Sequence, residues 1–262
     1  MAINNLVQGF ADFRHDYFER NRALFEVLGT QGQSPKVLVI ACSDARVDPA
    51  ILTRVEPGDL FVVRNVAALV PPRTTDHNHH GTSSAIEFAV RALQVEDVVV
   101  LGHALCGGIR ALVEDDESPA ASYDFLLDWV RIAAPARDGV KAALPAERTD
   151  DYFRAVEQAS VLNSVANLMT FPWVADRVER GILNLYGWFF DLRKGELSGF
   201  RPQSGRFESL IATLDPVPTL PATEDGERHT DGRALVDRFF TTLGGGACTA
   251  CAAGTPHSHT GD

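Results

Sequence analysis

Four runs of apolar residues mark predicted β-strands along the chain. They are KVLVIA (36–41), LFVVRN (60–65), DVVVLG (97–102) and ILNLYGWFFDL (182–192). β-Branched and aromatic residues dominate these runs, as they do in strands. The first three runs are apolar almost throughout instead of alternating, and parallel strands that are buried on both faces have this pattern. The pattern therefore predicts parallel strands in the interior of a sheet.

Apolar residues elsewhere recur at helical spacing. Residues 4–28 have this spacing and predict one or two amphipathic helices. Segment 81–93 opens with the small, capping-type residues GTSS, and segment 152–171 keeps a helical period up to Pro172. Strands that alternate with helices predict an α/β fold with a mostly parallel central sheet and flanking helices. In such folds the functional residues lie beyond the carboxyl ends of the strands.

The carboxyl-terminal part of the chain differs in composition from the rest. Residues 216–230 are rich in proline, threonine and charged residues, as linkers are, and a short helix-like piece, GRALVDRFFTTL, follows them. Residues 244–262 are rich in glycine and alanine. We therefore expect a main catalytic domain at 1–215, a linker with a short helix at 216–243 and a disordered tail at 244–262.

The tail carries residue types that bind metals. These are Cys248, Cys251, His257 and His259. Together they have the composition of a second metal site. Because nothing in the glycine- and alanine-rich sequence orders these side chains in advance, we expect a solvated appendage instead.

Charge and composition argue against several classes of partner. The chain of 262 residues has a formal net charge of −11 at pH 7 and lacks the clustered lysines and arginines that bind nucleic acids or anionic membranes. The amino terminus lacks the basic start and apolar centre of a signal peptide, and no stretch reaches the roughly 18 apolar residues of a spanning helix. We expect a cytoplasmic protein with no nucleic-acid or membrane partner. In the reducing cytoplasm its four cysteines are not expected to form a disulfide framework.

Two of the predicted strands end in residues that bind metals. The segment ACSDARVDP brings Cys42, Asp44 and Arg46 after the first strand, and LGHALCGGI brings His103 and Cys106 after the third. If these strands are neighbours in a parallel sheet, two thiolates and an imidazole meet at one edge. Such groups are zinc ligands, and three protein ligands leave a fourth tetrahedral position open, as in catalytic zinc sites.

Each of these residues also has a simpler interpretation. A single buried cysteine at a strand end is more often an apolar filler than a ligand, and a lone histidine often belongs to a turn. Asp44 and Arg46 are compatible with a surface ion pair. A redox thiol protein is less favoured, because its Cys-x-x-Cys is expected at a helix start and the one here lies in the tail. The combination at two strand ends favours the zinc site.

Four segments together resemble the β-class carbonic anhydrases. They are ACSDARVDP, GDLFVVRNVAALVPP, GTSSAIEFAV and VVVLGHALCGGI, and the similarity extends over roughly residues 4 to 200. The resemblance implies an α/β fold and one Zn²⁺ per chain, held by Cys42, His103 and Cys106. It implies reversible hydration of carbon dioxide to bicarbonate and a proton by attack of zinc-bound hydroxide. It also implies a homodimer or homotetramer in which an amino-terminal helical arm packs on a neighbouring subunit and the site lies at the dimer interface.

The same resemblance assigns catalytic roles to Asp44 and Arg46. Two thiolates give the metal more negative charge than neutral imidazoles do and make its water less acidic, so a further group is needed to select hydroxide. As a carboxylate, Asp44 only accepts hydrogen bonds and therefore orients the hydroxide. Arg46 holds that carboxylate by a charge-assisted fork.

Substrate contacts are implied by the resemblance to the plant-like branch of the family. Gln33 corresponds to an amide that donates to a bicarbonate oxygen, and Phe61 and Val66 to the lining of an apolar carbon dioxide pocket. Phe88 stands where that branch often has tyrosine, so a hydroxyl is missing. Apart from the resemblance, the pair Gly107 and Gly108 is expected to let the backbone turn closely around the metal, with N–H groups available to a bound anion. Phe61, Val66 and Phe88 are equally compatible with ordinary core positions.

Regulation is expected to differ from that of one branch of the family. In that branch the aspartate closes the site by binding zinc, and bicarbonate is held by a tryptophan, an arginine and a tyrosine. Here only Arg64 remains, because the other two positions are Val39 and Phe190. We expect this chain to lack the bicarbonate switch.

Two other functions stay open. The same zinc site is suited to hydrolysis of carbonyl sulfide or carbon disulfide, which are also small linear electrophiles. A non-catalytic zinc that only stabilises the fold is the other alternative. The Asp44–Arg46 pair argues against it, because a structural zinc needs no oriented acceptor.

Overall fold

A mixed sheet forms the centre of the protein. The computed structural model describes residues 2–76, 78–114, 123–144, 149–211 and 241. Within them six strands are ordered β2-β1-β3-β4-β5-β6. They are β1 Val37–Cys42, β2 Leu60–Asn65, β3 Asp97–His103, β4 Asn184–Asp191, β5 Glu196–Arg201 and β6 Arg206–Ser209. The first four pair in parallel, and β5 and β6 extend one edge antiparallel. The predicted α/β fold with a mostly parallel sheet is confirmed.

Helices separate most of the strands. They are α1 Ala2–Asp12, α2 Arg22–Gln31, α3 Pro49–Thr53, α4 Gly81–Glu87, α5 Gly107–Glu114, α6 Leu126–Val130, α7 Ala134–Ala143, α8 Asp150–Leu168 and α9 Pro172–Glu179. Short π-helical segments, 13–18 and 88–92, continue α1 and α4. The three predicted helical regions are all present. Pro172 does more than end a helix, since it occupies the first turn of α9, where its missing N–H costs nothing.

The strands differ in how deeply they are buried. In β1 and β3 every residue after the first is buried, as predicted. In β2 only Val63 is buried, and Val62 is 39% exposed. The expectation that β2 is buried on both faces is wrong, because β2 is an edge strand and pairs only with β1 within the described residues.

Helix α8 lies close against β3 and β4. A Cβ atom on Gly102 of β3 would lie 2.3 Å from Val161 Cγ2 of α8, and one on Gly187 of β4 would lie 3.1 Å from Val161 Cγ1. Glycine is therefore needed at position 102 for the helix to approach this strand. As a result α8 passes directly beside the carboxyl end of β3.

The amino-terminal helices form an arm outside the core. Neither α1 nor α2 has a buried residue. Stacked and edge-on contacts join Phe13, Tyr17 and Phe25. The Tyr17 hydroxyl donates a hydrogen bond to Glu56, which ties the arm to the loop before β2. The predicted helical arm is present.

Some expectations concern other parts of the chain. The predicted linker and tail at 216–262 lie outside the described residues, apart from Thr241, and so do the four metal-binding residue types of the tail. Among the helices that the structure describes, none combines the length and apolar character that crossing a membrane requires.

Candidate metal centre and active site

Three metal-binding side chains converge where β1 and β3 end. Cys42 is the last residue of β1, His103 is the last residue of β3, and Cys106 follows in the turn before α5. Their candidate ligand atoms all lie within 4.8 Å of one another, and the two sulfur atoms are 4.0 Å apart. Each side chain is at most 5% exposed. The pairing of β1 with β3 in register brings them together, as the sequence predicted.

His103 presents a lone pair to this cluster. Its Nδ1 lies 2.9 Å from the carbonyl oxygen of Ala104. A carbonyl oxygen only accepts, so Nδ1 carries the proton and Nε2 is the unprotonated nitrogen. Nε2 is buried, makes no hydrogen bond of ordinary geometry within the described residues, and faces the sulfur atoms of the cluster. A buried polar atom without a partner is unfavourable, and a metal ion is the partner that this geometry fits.

The two thiols influence each other strongly. The hydrogen bond from Cys106 lowers the pKa of Cys42 to about 4. That same Cys42 sulfur and the burial of the site raise the pKa of Cys106. These opposite shifts leave one thiolate and one thiol, so both sulfurs can be ionised together only beside a nearby cation. A divalent ion with a preference for sulfur and nitrogen, such as Zn²⁺, fits the donor set.

The start of α5 is shaped around Cys106. Leu105 has φ of +60°, in the left-handed region, which turns the chain sharply before the helix. A Cβ on Gly108 would lie 2.7 Å from Val66 Cγ1, so glycine is needed there. Gly107 has open space instead. Gly107 directly follows Cys106 in the chain, and Val66 lies against Gly108, one residue further on.

Asp44 is held by Arg46 through both carboxylate oxygens. Arg46 donates from its backbone N and from Nε to Oδ1, each at 2.9 Å, and from Nη2 to Oδ2 at 2.6 Å. This fork holds the pKa of Asp44 well below its usual range, so the group is a carboxylate at neutral pH. The predicted arrangement of Asp44 and Arg46 is present in the structure.

Arg64 supports the same loop from β2, a contact that sequence analysis did not anticipate. Its guanidinium donates to the carbonyl oxygens of Cys42 and Asp44 at 3.0 and 2.7 Å and to Asp48 Oδ2 at 2.9 Å. The other Asp48 oxygen caps α3. All three nitrogen atoms of the Arg64 guanidinium therefore help to hold the segment from Cys42 to Asp48. The hydrogen bonds to backbone carbonyls leave no signal in the sequence.

A second residue missed at the sequence level is Glu157. It lies on α8, is 5% exposed, and accepts a hydrogen bond from the backbone N of Cys106 at 3.0 Å. Burial raises the pKa of this carboxyl group to about 7. In the sequence, the only sign of this role is that Glu157 is a charged residue within the apolar helical pattern at 152–171.

The remaining predicted substrate residues lie away from the cluster of their own chain. Phe61 packs on Phe88 with ring centroids 5.8 Å apart, and Phe61 pairs with Leu38 near the amino end of the sheet. Gln33 lies in the exposed loop before β1. The structure therefore does not bring Gln33, Phe61 and Phe88 to the metal-binding residues within one chain.

Sequence comparisons agree with this site. A model of the family described as carbonic anhydrase matches residues 37–197. Carbonic anhydrase of Synechococcus elongatus is 34% identical over 235 residues, which cover 89% of this chain and 83% of that protein. Carbonic anhydrase of Synechocystis sp. is 33% identical over 242 residues, covering 92% and 86% respectively.

Solved structures show the same likeness. The β-carbonic anhydrase CcaA is 31% identical with a TM-score of 0.76, and the match covers 86% of this chain and 97% of that one. A β-carbonic anhydrase from Sordaria macrospora, described as tetrameric, is 26% identical with a TM-score of 0.65, covering 76% and 96%.

Proposed function

Since the chain belongs to the β-class carbonic anhydrase family and is an enzyme of that family, we propose that it catalyses zinc-dependent reversible hydration of carbon dioxide to bicarbonate and a proton. Cys42, His103 and Cys106 are proposed to hold the zinc. The observation that carries the proposal is the buried cluster of two sulfurs and an imidazole nitrogen within 4.8 Å of one another. Its His103 Nε2 has no other partner among the described residues.

Zinc would act as a Lewis acid that lowers the pKa of a water molecule; carbonic anhydrases with three histidine ligands bring this pKa to about 7, and two thiolates would make the water less acidic than that. The protein's part is to keep two thiolates and one neutral imidazole in place. The hydrogen bond from His103 Nδ1 to Ala104 fixes the required tautomer. Burial of all three side chains excludes competing water from the ligands.

Asp44 is proposed to orient the nucleophile. Two bonds from Arg46 use the acceptor positions of Oδ1, whereas Oδ2 receives one. Because a carboxylate oxygen has two lone pairs, Oδ2 keeps one for the O–H of the attacking group. An ionised Asp44 cannot donate, so it fixes which way that O–H points and leaves a lone pair aimed at carbon dioxide.

The substrate pocket is proposed to be completed by a second subunit. Gly107 follows Cys106 in the chain and Val66 lies against Gly108, whereas Gln33, Phe61 and Phe88 lie away from the metal-binding cluster of their own chain. We propose a homodimer or homotetramer in which the latter three contact carbon dioxide or bicarbonate in the neighbouring site. Support comes from the exposure of Phe88 and Val66, at 48% and 37%, and from the tetrameric relative.

The function is tested by stopped-flow measurement of carbon dioxide hydration on protein with verified zinc content, between about pH 6.5 and 9. We expect rapid hydration that rises with pH. Asp44→Asn is expected to keep its zinc and lose most of the activity, whereas Cys106→Ser loses zinc. An inactive wild-type protein with one zinc per chain would contradict the proposal, and carbonyl sulfide and carbon disulfide would then be assayed.

A further inference from the structure

One peptide group lies between the side chains of Arg46 and Glu157. The carbonyl oxygen of Leu105 accepts a hydrogen bond from Arg46 Nη2 at 3.2 Å. The N–H of the same peptide group, which belongs to Cys106, donates to Glu157 Oε1 at 3.0 Å. Arg46 also holds Asp44, and Cys106 is one of the three metal-binding residues. The Leu105–Cys106 peptide therefore links the metal-binding cluster to the carboxylate that orients the nucleophile.

The backbone at this peptide needs support. Leu105 has φ of +60°, a conformation that side chains with a Cβ rarely adopt. Such a residue stays in place only where its surroundings fix it. The hydrogen bonds from Arg46 and to Glu157 act on the two ends of the peptide that follows this φ angle. Together they set the rotation of the peptide plane.

Burial of the Glu157 carboxyl group in the core is energetically unfavourable. The Glu157 side chain is 5% exposed, and its neighbours on α8, Val156 and Val161, are buried apolar residues. A carboxyl group in such surroundings is unfavourable unless it accepts hydrogen bonds. The bond from Cys106 N–H offsets this cost, together with the nearby positive charge of Arg154. The close approach of α8 to β3 at Gly102 brings the carboxyl group within reach.

We propose that Glu157 is a positioning residue that fixes the Leu105–Cys106 peptide and thereby sets both the Cys106 thiolate and the Arg46 guanidinium. The inference rests on the proposed function for the identity of the metal. Glu157 acts only through the peptide and contacts neither substrate nor metal. Removing the Glu157 carboxyl group should alter the metal-binding geometry, whereas removing another buried polar side chain of α8 should not.

The test compares three variants of the full chain. Glu157→Met keeps the length of the side chain and removes the acceptor, and Glu157→Gln keeps an uncharged acceptor. Asn163→Ala is the matched control, since Asn163 is a buried polar residue of α8 whose Nδ2 donates to the Ile132 carbonyl at 3.0 Å, away from the site. The dissociation constant for zinc is measured by chelator competition. The absorption of the cobalt-substituted protein reports on thiolate geometry.

We expect Glu157→Met to bind zinc about 10-fold or more weakly and to shift the thiolate-to-cobalt band. In Glu157→Gln the affinity for zinc should fall only about 3-fold, because the amide oxygen still accepts the hydrogen bond from Cys106 N–H, although a neutral acceptor makes a weaker bond than a charged one. Asn163→Ala should lower the stability and leave zinc affinity and the cobalt spectrum unchanged. Unaltered affinity and spectrum in Glu157→Met, or equal changes in Asn163→Ala, overturn the proposal.

If Glu157→Met does not fold, the positioning role of Glu157 is tested by comparing Glu157→Gln with Asn163→Ala. A larger loss of zinc affinity and a larger spectral shift in Glu157→Gln support the positioning role, and equal values overturn it. Both readouts are independent of carbon dioxide hydration. A wild-type protein that binds zinc tightly but hydrates nothing would contradict the proposed function and leave this comparison intact.

Discussion

At the scale of single residues, the planar guanidinium of Arg46 makes two kinds of contact. It holds Asp44 by a fork and reaches the Leu105 carbonyl with the same guanidinium. A lysine has a single ammonium group and cannot make these bonds together. The geometry of Asp44 therefore depends on the shape of the arginine as well as on its charge.

Arg46→Lys should retain zinc and lose about 10- to 100-fold in the rate of carbon dioxide hydration, because a misplaced Asp44 no longer orients the nucleophile. Stopped-flow kinetics and metal analysis measure the two effects separately. Arg91→Lys is the control, since Arg91 pairs with Glu87 on the surface at 2.6 Å, and it should retain full activity. Equal activity of the two variants would argue against a need for the fork.

Tyr186 on β4 gives a prediction for alkaline pH. Burial, followed by the charge of Asp97, raises the pKa of Tyr186 to about 12, above the ordinary value of about 10. The protonated phenol is favoured in the folded state, so its contribution to stability is present below pH 10 and is lost as the pH rises through 12. Between pH 10 and 12 the difference in free energy of unfolding between the wild type and Tyr186→Phe should therefore change by up to about 2 kcal/mol, to the disadvantage of the wild type.

Urea unfolding at several pH values between 9 and about 11.5 measures this difference. Tyr123→Phe is the control for removing a phenol hydroxyl at a surface position, because Tyr123 is 55% exposed. A constant difference for Tyr186→Phe would show that the phenol does not titrate as expected.

Individual residues differ in how far the sequence predicts them. Cys42, His103 and Cys106 were predictable because ligand chemistry stands at the ends of two apolar runs that pair in parallel. Glu157 was not, because a charged residue in a helical pattern is usually solvent-exposed. The role of Arg64 depends on backbone carbonyls whose directions only the folded loop defines.

At the scale of elements, the contact between β3 and α8 positions His103 and Glu157 together. It depends on the absence of a side chain at Gly102, where a Cβ would lie 2.3 Å from Val161 Cγ2. Overpacking of this kind forces the helix away from the strand. The active-site geometry and the stability of the core therefore share this contact.

Gly102→Ala should lower the free energy of unfolding by about 1–3 kcal/mol, as measured by denaturant unfolding. Adding Val161→Ala should restore part of the loss, because it removes the clashing methyl group. Gly29→Ala in α2, where no atom lies within 4 Å of the added Cβ, should be neutral or stabilising by about 0.5–1 kcal/mol. A Gly102→Ala protein as stable as the wild type would contradict the close contact.

The strength of local patterns decided which elements were predictable. β1 and β3 are long apolar runs and were correctly predicted as interior strands. β5 and β6 were missed, since ELSGFR and RFES are short, polar and interrupted, and they form only by pairing onto β4. For β2 the composition resembled that of an interior strand, while the sheet order placed it at the edge.

At the scale of the whole molecule, the arm leaves apolar side chains without cover in a single chain. Ile3, Leu6, Val7 and Phe10 are 63–70% exposed. Several such residues on one short helix are unusual for a monomer surface and are typical of a protein interface. The sequence showed the amphipathic pattern of this helix, and the proposed second subunit would cover its apolar side.

The double variant Leu6→Asp and Phe10→Asp should shift the protein to a smaller assembly, because charges at a buried interface are unfavourable. Light scattering after gel filtration measures the molar mass. A variant with Asn5→Asp and Gln8→Glu adds the same charge at polar positions of α1 and should keep the wild-type mass. The same mass in both variants would show that the apolar side of α1 does not hold the subunits together.

The placement of the ligands at the ends of β1 and β3 also has a consequence for folding thermodynamics. Cys42 and Cys106 are 64 positions apart in sequence, so zinc bound to both acts as a cross-link that only the folded chain can form. Zinc in 1,000-fold excess over its dissociation constant would add about 4 kcal/mol to the free energy of unfolding. The unfolding temperature would then rise with the concentration of free zinc, and the amount of folded enzyme would follow the zinc supply of its surroundings.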